Sequence, residues 1–362
     1  MRTIVVGGIF FCLCLAGLSG RAQENPWFGG VKGHLGVIIP HTQALREVSA
    51  SRPWGVNVEG GRVLKSERAW ATCNCFSKVG LSAYYFNYRN PRELGSSTSL
   101  VLFGEPFLGF NARAFLTLRG GIGVSYLNRV FDQTTNPRNQ FFSTPLSFIG
   151  VVNVAFNYLV GEAFVIQLAA SYNHISNGGR REPNKGMNFP TVLLGVEKHL
   201  SALTFPEYNR QPGLLRHPWR RYLYLTGSRQ VVKADTLHPT TGHAYLGLEG
   251  GVMRAVSNIN AISAGGEIYL DGAQPERARR GLADKSPLLA SFTAGHALVF
   301  GRFSFTQQFG YEVYRPEKYH QKPFFQRYAV YYQLGRWLSV GTSMKVHGHV
   351  ADIMDVRIGA QW

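Results

Sequence analysis

The sequence predicts an all-β protein, an antiparallel transmembrane β-barrel of about sixteen strands assembled from two pseudo-repeats. Three observations predict it. Apolar and polar residues alternate with period two along almost the whole chain. Many alternating runs are roughly 10–14 residues long; soluble strands average about 5–6, whereas a tilted strand needs about 9–11 to cross a bilayer. Charged residues make up only 16% of the chain, while aromatics reach 13% and glycine 41 of 362 residues. Ordinary soluble domains carry about 25% charged residues and about 7% glycine. That composition excludes disorder, a coiled coil and a typical cytosolic enzyme.

The first element is a leader. Arg2 is a short positive region, Ile4 to Leu18 is apolar, and Gly20-Arg21-Ala22 offers small residues for cleavage before Gln23. Residues 1–22 read as a secretory signal peptide, too short for a membrane helix. Neither Cys12 nor Cys14 has a lipoprotein-like context. No later run of about 18 apolar residues offers a membrane helix. Removal of the leader takes two arginines and no acids, so the formal charge falls from +17 to +17 − 2 = +15. An exported chain with scattered basic residues excludes nucleic acid as a partner and points to an anionic membrane surface.

Strands are expected near 33–41, 52–60, 76–88, 98–107, 110–118, 119–128, 146–158, 163–176 and 187–200, with some merging. The stretch 61–75 is too long for a neat turn. It holds Cys73 and Cys75, the two cysteines left after the leader. One residue apart, they cannot staple the fold; free thiols, a local disulfide or an intermolecular one all fit. A basic, proline-containing linker covers 201–219. Further strands follow near 220–230, 242–257, 260–271, 287–299, 302–314, 324–334, 337–348 and 352–362.

Loop lengths alternate in the second half. Ser257-Asn258-Ile259-Asn260, Phe300-Gly301-Arg302 and Leu334-Gly335-Arg336 are tight turns, and 231–241, 272–286 and 315–323 are longer. Short periplasmic turns and long external loops are the pattern of outer-membrane barrels. The terminal Trp362 suits an interfacial aromatic girdle.

Phe156-Asn157-Tyr158-Leu159-Val160-Gly161 resembles Tyr331-Tyr332-Gln333-Leu334-Gly335-Arg336, which divides the chain into repeats at 23–200 and 220–362. One barrel of about sixteen strands and two eight-stranded units both satisfy the pattern. Closure without a strand edge exposed to lipid favours the single barrel. In that case residues 23–210 alone would not fold.

The chemistry lies in the segment 171–188. Residues two apart on a strand share a face, so His174 and Ser176 point the same way, as a base and a nucleophile must. The row behind them is Phe164, Ile166, Leu168, Ala170 and Tyr172, so the pair sits on the lipid side. On the following strand Asn188, Pro190, Val192, Leu194 and Val196 share an apolar face, and Asn188 can approach His174. Strand parity makes the His-Ser strand the seventh and puts the pair at the outer leaflet.

His-x-Ser-Asn-x-Gly at 174–179, followed by Pro-Asn-x-Gly at 183–186, resembles the PagL-type lipid A 3-O-deacylases and the related acyloxyacyl hydrolases. The joint spacing carries the specificity. The resemblance implies an eight-stranded barrel for the first repeat, with a second β unit as the alternative to one large barrel. It implies an outer-membrane esterase acting on lipid A, without a cofactor or metal, with Ser176 as nucleophile and His174 as general base. The family places a Glu third; here that position is Asn188, whose carbonyl accepts from the imidazole but carries no charge. Glu182 is the nearest acid in sequence. Asn177, Gly179 and Asn184 correspond to the oxyanion-stabilising and substrate-binding region. The expected partners are lipopolysaccharide and membrane lipids.

In the second repeat, Gly348 and Val350 align with His174 and Ser176, so that repeat lacks the pair. His347 and His349 read as lumen or rim residues rather than metal ligands. The alternative function is a non-catalytic barrel, a porin or a lipopolysaccharide-binding structural protein with a decayed site.

Overall fold

The computed structural model describes residues 25–362 apart from 41, 112, 179–180, 233, 283–285, 316–321 and 349. The leader, Gly179 and His349 lie outside the described residues. Among the described residues no helix is long and apolar enough to cross a membrane.

The chain forms sixteen antiparallel strands. The first eight are β1 (Trp27–Gly36), β2 (Trp54–Leu64), β3 (Ser77–Asn87), β4 (Ser96–Asn111), β5 (Ala114–Leu127), β6 (Leu146–Val160), β7 (Phe164–Ser176) and β8 (Met187–His199). The second eight are β9 (Trp219–Val232), β10 (Thr241–Ala255), β11 (Asn260–Asp271), β12 (Leu288–Phe300), β13 (Phe303–Tyr314), β14 (Phe324–Gln333), β15 (Leu338–His347) and β16 (Val350–Gln361).

Each set of eight closes on itself. Strand β1 pairs with β8 from Phe28↔His199 to Gly36↔Thr191, and β16 pairs with β9 from Val356↔Gly227 to Gln361↔Tyr222. The sixteen strands from two repeats are as expected, and of the two closures the sequence allowed, two eight-stranded barrels form in place of the favoured single barrel. Both solutions remove open edges from lipid. The smaller closure is reached as soon as β8 meets β1, and an eight-stranded barrel is just narrow enough for side chains to fill.

Local boundaries also differ from the expected ones. The runs 110–118 and 119–128 are mostly one strand, β5. Its glycines resemble a turn in sequence, yet a Cβ on Gly123 would collide with Leu100 O, so close strand approach explains one of them. Strand β1 starts earlier than 33, and its extension survives as a Val37 N to Pro190 O bond and an Ile39↔Asn188 bridge.

The irregular stretch after β2 is the helix α1 (Glu67–Cys73). The Ser66 side chain caps it by accepting from Ala69 N, and Asn74 ends it in the left-handed region at φ 53°. Of the three alternatives for the cysteines, the local Cys73–Cys75 disulfide is the one formed.

The long connections from β1 to β2, β3 to β4, β5 to β6 and β7 to β8 lie at one end of the first barrel. The corresponding end of the second is where β9 joins β10, β11 joins β12 and β13 joins β14. Most opposite-end turns are short. Trp27, Trp219, Trp337 and Trp362 are exposed at this short-turn end, as an interfacial girdle requires. Val58, Leu102, Ile122, Leu168 and Leu194 are exposed on the first barrel's wall, and Leu225, Ile268, Phe292 and Val356 on the second's.

The lumen of the first barrel is held by a ring of alternating charges. Lys32 pairs with Glu59 at 2.8 Å, Glu59 with Arg119 at 2.6 Å, and Arg119 with Glu105 at 2.5 Å. Glu105 meets Lys78 at 2.8 Å, Lys78 meets Glu197 at 2.9 Å, and Glu197 returns to Lys32 at 3.1 Å. Every charge has two opposite neighbours, which is how buried ions survive desolvation. Aromatic clusters lie on both sides of the ring, with Tyr84, Phe86, Tyr88 and Phe189 toward the long loops and Phe28, Phe76, Phe103 and Phe107 toward the short turns.

The second lumen uses Arg327 with Glu267 and Asp355, Arg357 with Asp355, and Lys345 with Glu312. His347 is buried there, 3.5 Å from Glu312 and 3.4 Å from Asp352.

Candidate active site

Alternation on β7 sorts its side chains. Val165, Gln167, Ala169, Ser171, Asn173 and Ile175 are buried inward, while Phe164, Ile166, Leu168 and Tyr172 are exposed outward. His174 and Ser176 continue the outward row at the end of the barrel that carries the long loops. Both are half-buried, because the loops around them cover what the barrel wall leaves open.

Strand register brings the third residue in. His174 lies directly opposite Asn188 on β8 and Gly150 on β6. The His174 Nδ1 to Asn188 Oδ1 distance is 2.6 Å. An amide oxygen only accepts, so Nδ1 carries a hydrogen, and in the neutral ring the lone pair is on Nε2.

Described residues of the β7–β8 connection surround Ser176. Asn184 Nδ2 donates to Ser176 Oγ at 3.0 Å, and Gly178 N donates to the same oxygen at 3.2 Å. Asn177 N donates to Asn184 Oδ1 at 3.1 Å, which orients the Asn184 amide. Two N–H donors thus converge on the hydroxyl from a loop rather than from the strand.

Of the other residues expected from sequence, Asn177 turns its side chain away from Ser176. Its Nδ2 donates to Arg181 O at 2.8 Å and to Ser143 Oγ at 3.2 Å, so this side chain ties the loop together. Glu182 Oε2 accepts from Asn184 N at 3.2 Å and so also supports the loop.

Sequence reasoning missed the support from loop 128–145. Gly186 N donates to Phe141 O at 3.0 Å, Lys185 N to Gln140 O at 3.1 Å, and Ser143 Oγ to Arg181 O at 2.7 Å. Phe141 and Phe142 anchor that loop in the barrel mouth. No local pattern marks such loop-to-loop bonds. Phe148, opposite Ser176 on β6, was legible as an outward residue of an alternating strand.

Gly186 has a positive φ of 66°, and a Cβ there would stand 2.9 Å from His174 Cε1. Only glycine fits both the turn and the imidazole.

Residues 60–197 match the family model for the lipid A 3-O-deacylase PagL, and residues 219–362 match the model for the acyloxyacyl hydrolase C-terminal domain. The chain belongs to this family of outer-membrane β-barrel hydrolases that deacylate lipid A. No curated protein matches the sequence.

Among solved structures, the outer-membrane enzyme PagL is 14% identical, with a TM-score of 0.34 over 46% of this chain and 97% of its own. Neisserial surface protein A is 7% identical, with a TM-score of 0.35 over 48% of this chain and 96% of its own. The β-domain of the Bordetella autotransporter BrkA is 10% identical, with a TM-score of 0.29 over 94% of this chain and 99% of its own.

Proposed function

We propose that this PagL-family chain removes an ester-linked acyl chain from lipid A by a Ser-His mechanism at the outer leaflet of the outer membrane. The observation that carries the reading is the constellation on the lipid-facing wall. His174 is fixed by Asn188 at 2.6 Å, and Ser176 on the same face accepts from two loop donors. A water-soluble substrate would not be met there; an acyl chain lying in the leaflet would.

In the proposed reaction, His174 Nε2 takes the Ser176 proton as Oγ attacks the ester carbonyl carbon. The carbonyl π-electrons move to oxygen, and Gly178 N–H and Asn184 Nδ2–H, which donate to Ser176 Oγ in the free site, would turn to stabilise that oxyanion. Collapse breaks the bond to the sugar oxygen, which leaves with the proton held by His174. Water, deprotonated by His174, then attacks the acyl-serine; the acyl–Oγ bond breaks, Oγ takes the proton back from His174, and the fatty acid leaves. Asn188 orients the imidazole throughout. Ion-paired side chains cross both lumens, which weighs against the porin alternative.

The test is Ser176→Ala in cells whose lipid A is analysed by mass spectrometry. The wild-type chain should yield lipid A lighter by one acyl chain, and the variant should leave it intact. The variant should keep heat-modifiable gel mobility, since an outward hydroxyl fills no core. Normal lipid A processing by the folded variant would end the nucleophile assignment.

A further inference from the structure

We propose that the second barrel is part of the catalytic apparatus: its Met354 is a positioning residue that braces Gly178 and so holds the Gly178 N–H against Ser176. The inference rests on the Ser176 reading above. Met354 lies on β16, next to the end that carries the long loops. It belongs to the outward row of that strand, in which Val356 is 69% exposed and Ile358 50%. Met354 itself is only half-buried rather than exposed, because the first barrel covers it. Its sulfur would stand 2.7 Å from a Cβ placed on Gly178, and Phe148 Cε2 would stand 3.6 Å from the same point. Gly178 is therefore held between a thioether from one barrel and an aromatic ring from the other. Its φ of 68° is a conformation that few other residues tolerate.

A second set of contacts at the short-turn end fixes how the barrels meet. Asn258, in the turn between β10 and β11, donates to Cys73 O of α1 at 2.8 Å. Its own carbonyl accepts from Leu214 N in the linker at 3.0 Å. The linker is tied back to α1 by Asn74 and Gln211, which exchange hydrogen bonds of 2.8 and 2.7 Å. Gly301, in the β12–β13 turn, packs so closely on Thr72 that a Cβ would stand 2.5 Å from its Cγ2. The barrels are thus pinned at one end by α1 and the linker, and meet at the other through Met354. This accounts for a second barrel that keeps neither a His nor a Ser at the aligned positions, which are Gly348 and Val350. Methionine suits the role, since a flexible thioether can follow an irregular backbone surface.

The experiment uses the full-length chain, purified in detergent, with Met354→Ala, Met354→Leu and Ser176→Ala. Deacylation kinetics on lipid A are measured together with hydrogen–deuterium exchange of the 177–186 loop. Misplacing a reacting group by about 1 Å can cost on the order of 100-fold. A loosened brace should cost less, so Met354→Ala should lower kcat about tenfold. KM should stay within about twofold, since no binding contact is removed. Loop exchange should speed up in Met354→Ala, and Met354→Leu should restore both readouts.

Unchanged exchange in Met354→Ala overturns the brace, whatever the rate does. Faster exchange with unchanged kcat overturns the positioning role. If the wild-type chain does not deacylate, or Ser176→Ala remains active, the functional reading fails; loop exchange then still decides whether Met354 holds the loop.

Discussion

Replacing Asn188 by Glu should raise turnover. The bond from His174 Nδ1 to Asn188 Oδ1 is short, at 2.6 Å, and the pair is half-buried at the barrel wall. The amide fixes the tautomer but itself brings no negative charge to the imidazolium that the proposed Ser176 attack forms. A carboxylate in its place would sit about 4 Å from the centre of the imidazolium charge, worth about 4 kcal/mol at an effective dielectric of 20. Much of that is offset by desolvating the carboxylate, and the transition state carries only part of the charge. A net gain of about 1–2 kcal/mol remains, which is a rise of roughly 5- to 30-fold in kcat. Asn188→Ala should instead lose one hydrogen bond, about 1 kcal/mol or fivefold in rate. The assay is release of hydroxy fatty acid from lipid A in mixed micelles by the purified variants, with heat-modifiable mobility as the folding control. A tenfold loss in folded Asn188→Glu, or an unaffected Asn188→Ala, would show that Asn188 does not orient His174 during the reaction.

Two further outcomes follow from the architecture. Glu59→Gln removes one charge from the lumen ring and leaves Lys32 and Arg119 each with one fewer partner, so it should destabilise the first barrel by about 3 kcal/mol in urea unfolding; an unchanged midpoint would show that the ring adds nothing. Residues 23–210 alone should form a heat-modifiable barrel, because β1 and β8 close without the second half. Aggregation of that fragment would show that closure needs the second barrel.

Much of the site was legible in the sequence because its signals are local. Residues two apart share a face, so the row from Phe164 to Tyr172 placed His174 and Ser176 on the lipid side, and the structure has them there. The same parity on β8 put Asn188 outward, where the register sets it opposite His174. Asn184 was marked as a residue of the oxyanion region, and its amide reaches Ser176. The side-chain direction of Asn177 was not legible, because it depends on Ser143 and Arg181 O in the folded loops. Met354 lay beyond sequence reasoning altogether: it is 176 residues from Gly178 in the chain.

The sequence by itself determined most of the strands, their inward and outward faces and which side chains meet at the end of the seventh. Period-two alternation and motif spacing are properties of neighbouring residues, and every hydrogen-bonded arrangement of these strands must respect them. Only the tertiary structure decided that the chain closes twice rather than once, that six charges form a ring, and that Met354 of one barrel packs against Gly178 of the other. Closure depends on strand tilt and stagger summed around all eight strands, and no single segment encodes that sum. The ring and the brace depend on closure in turn, since Lys32 meets Glu197 only once β1 pairs with β8.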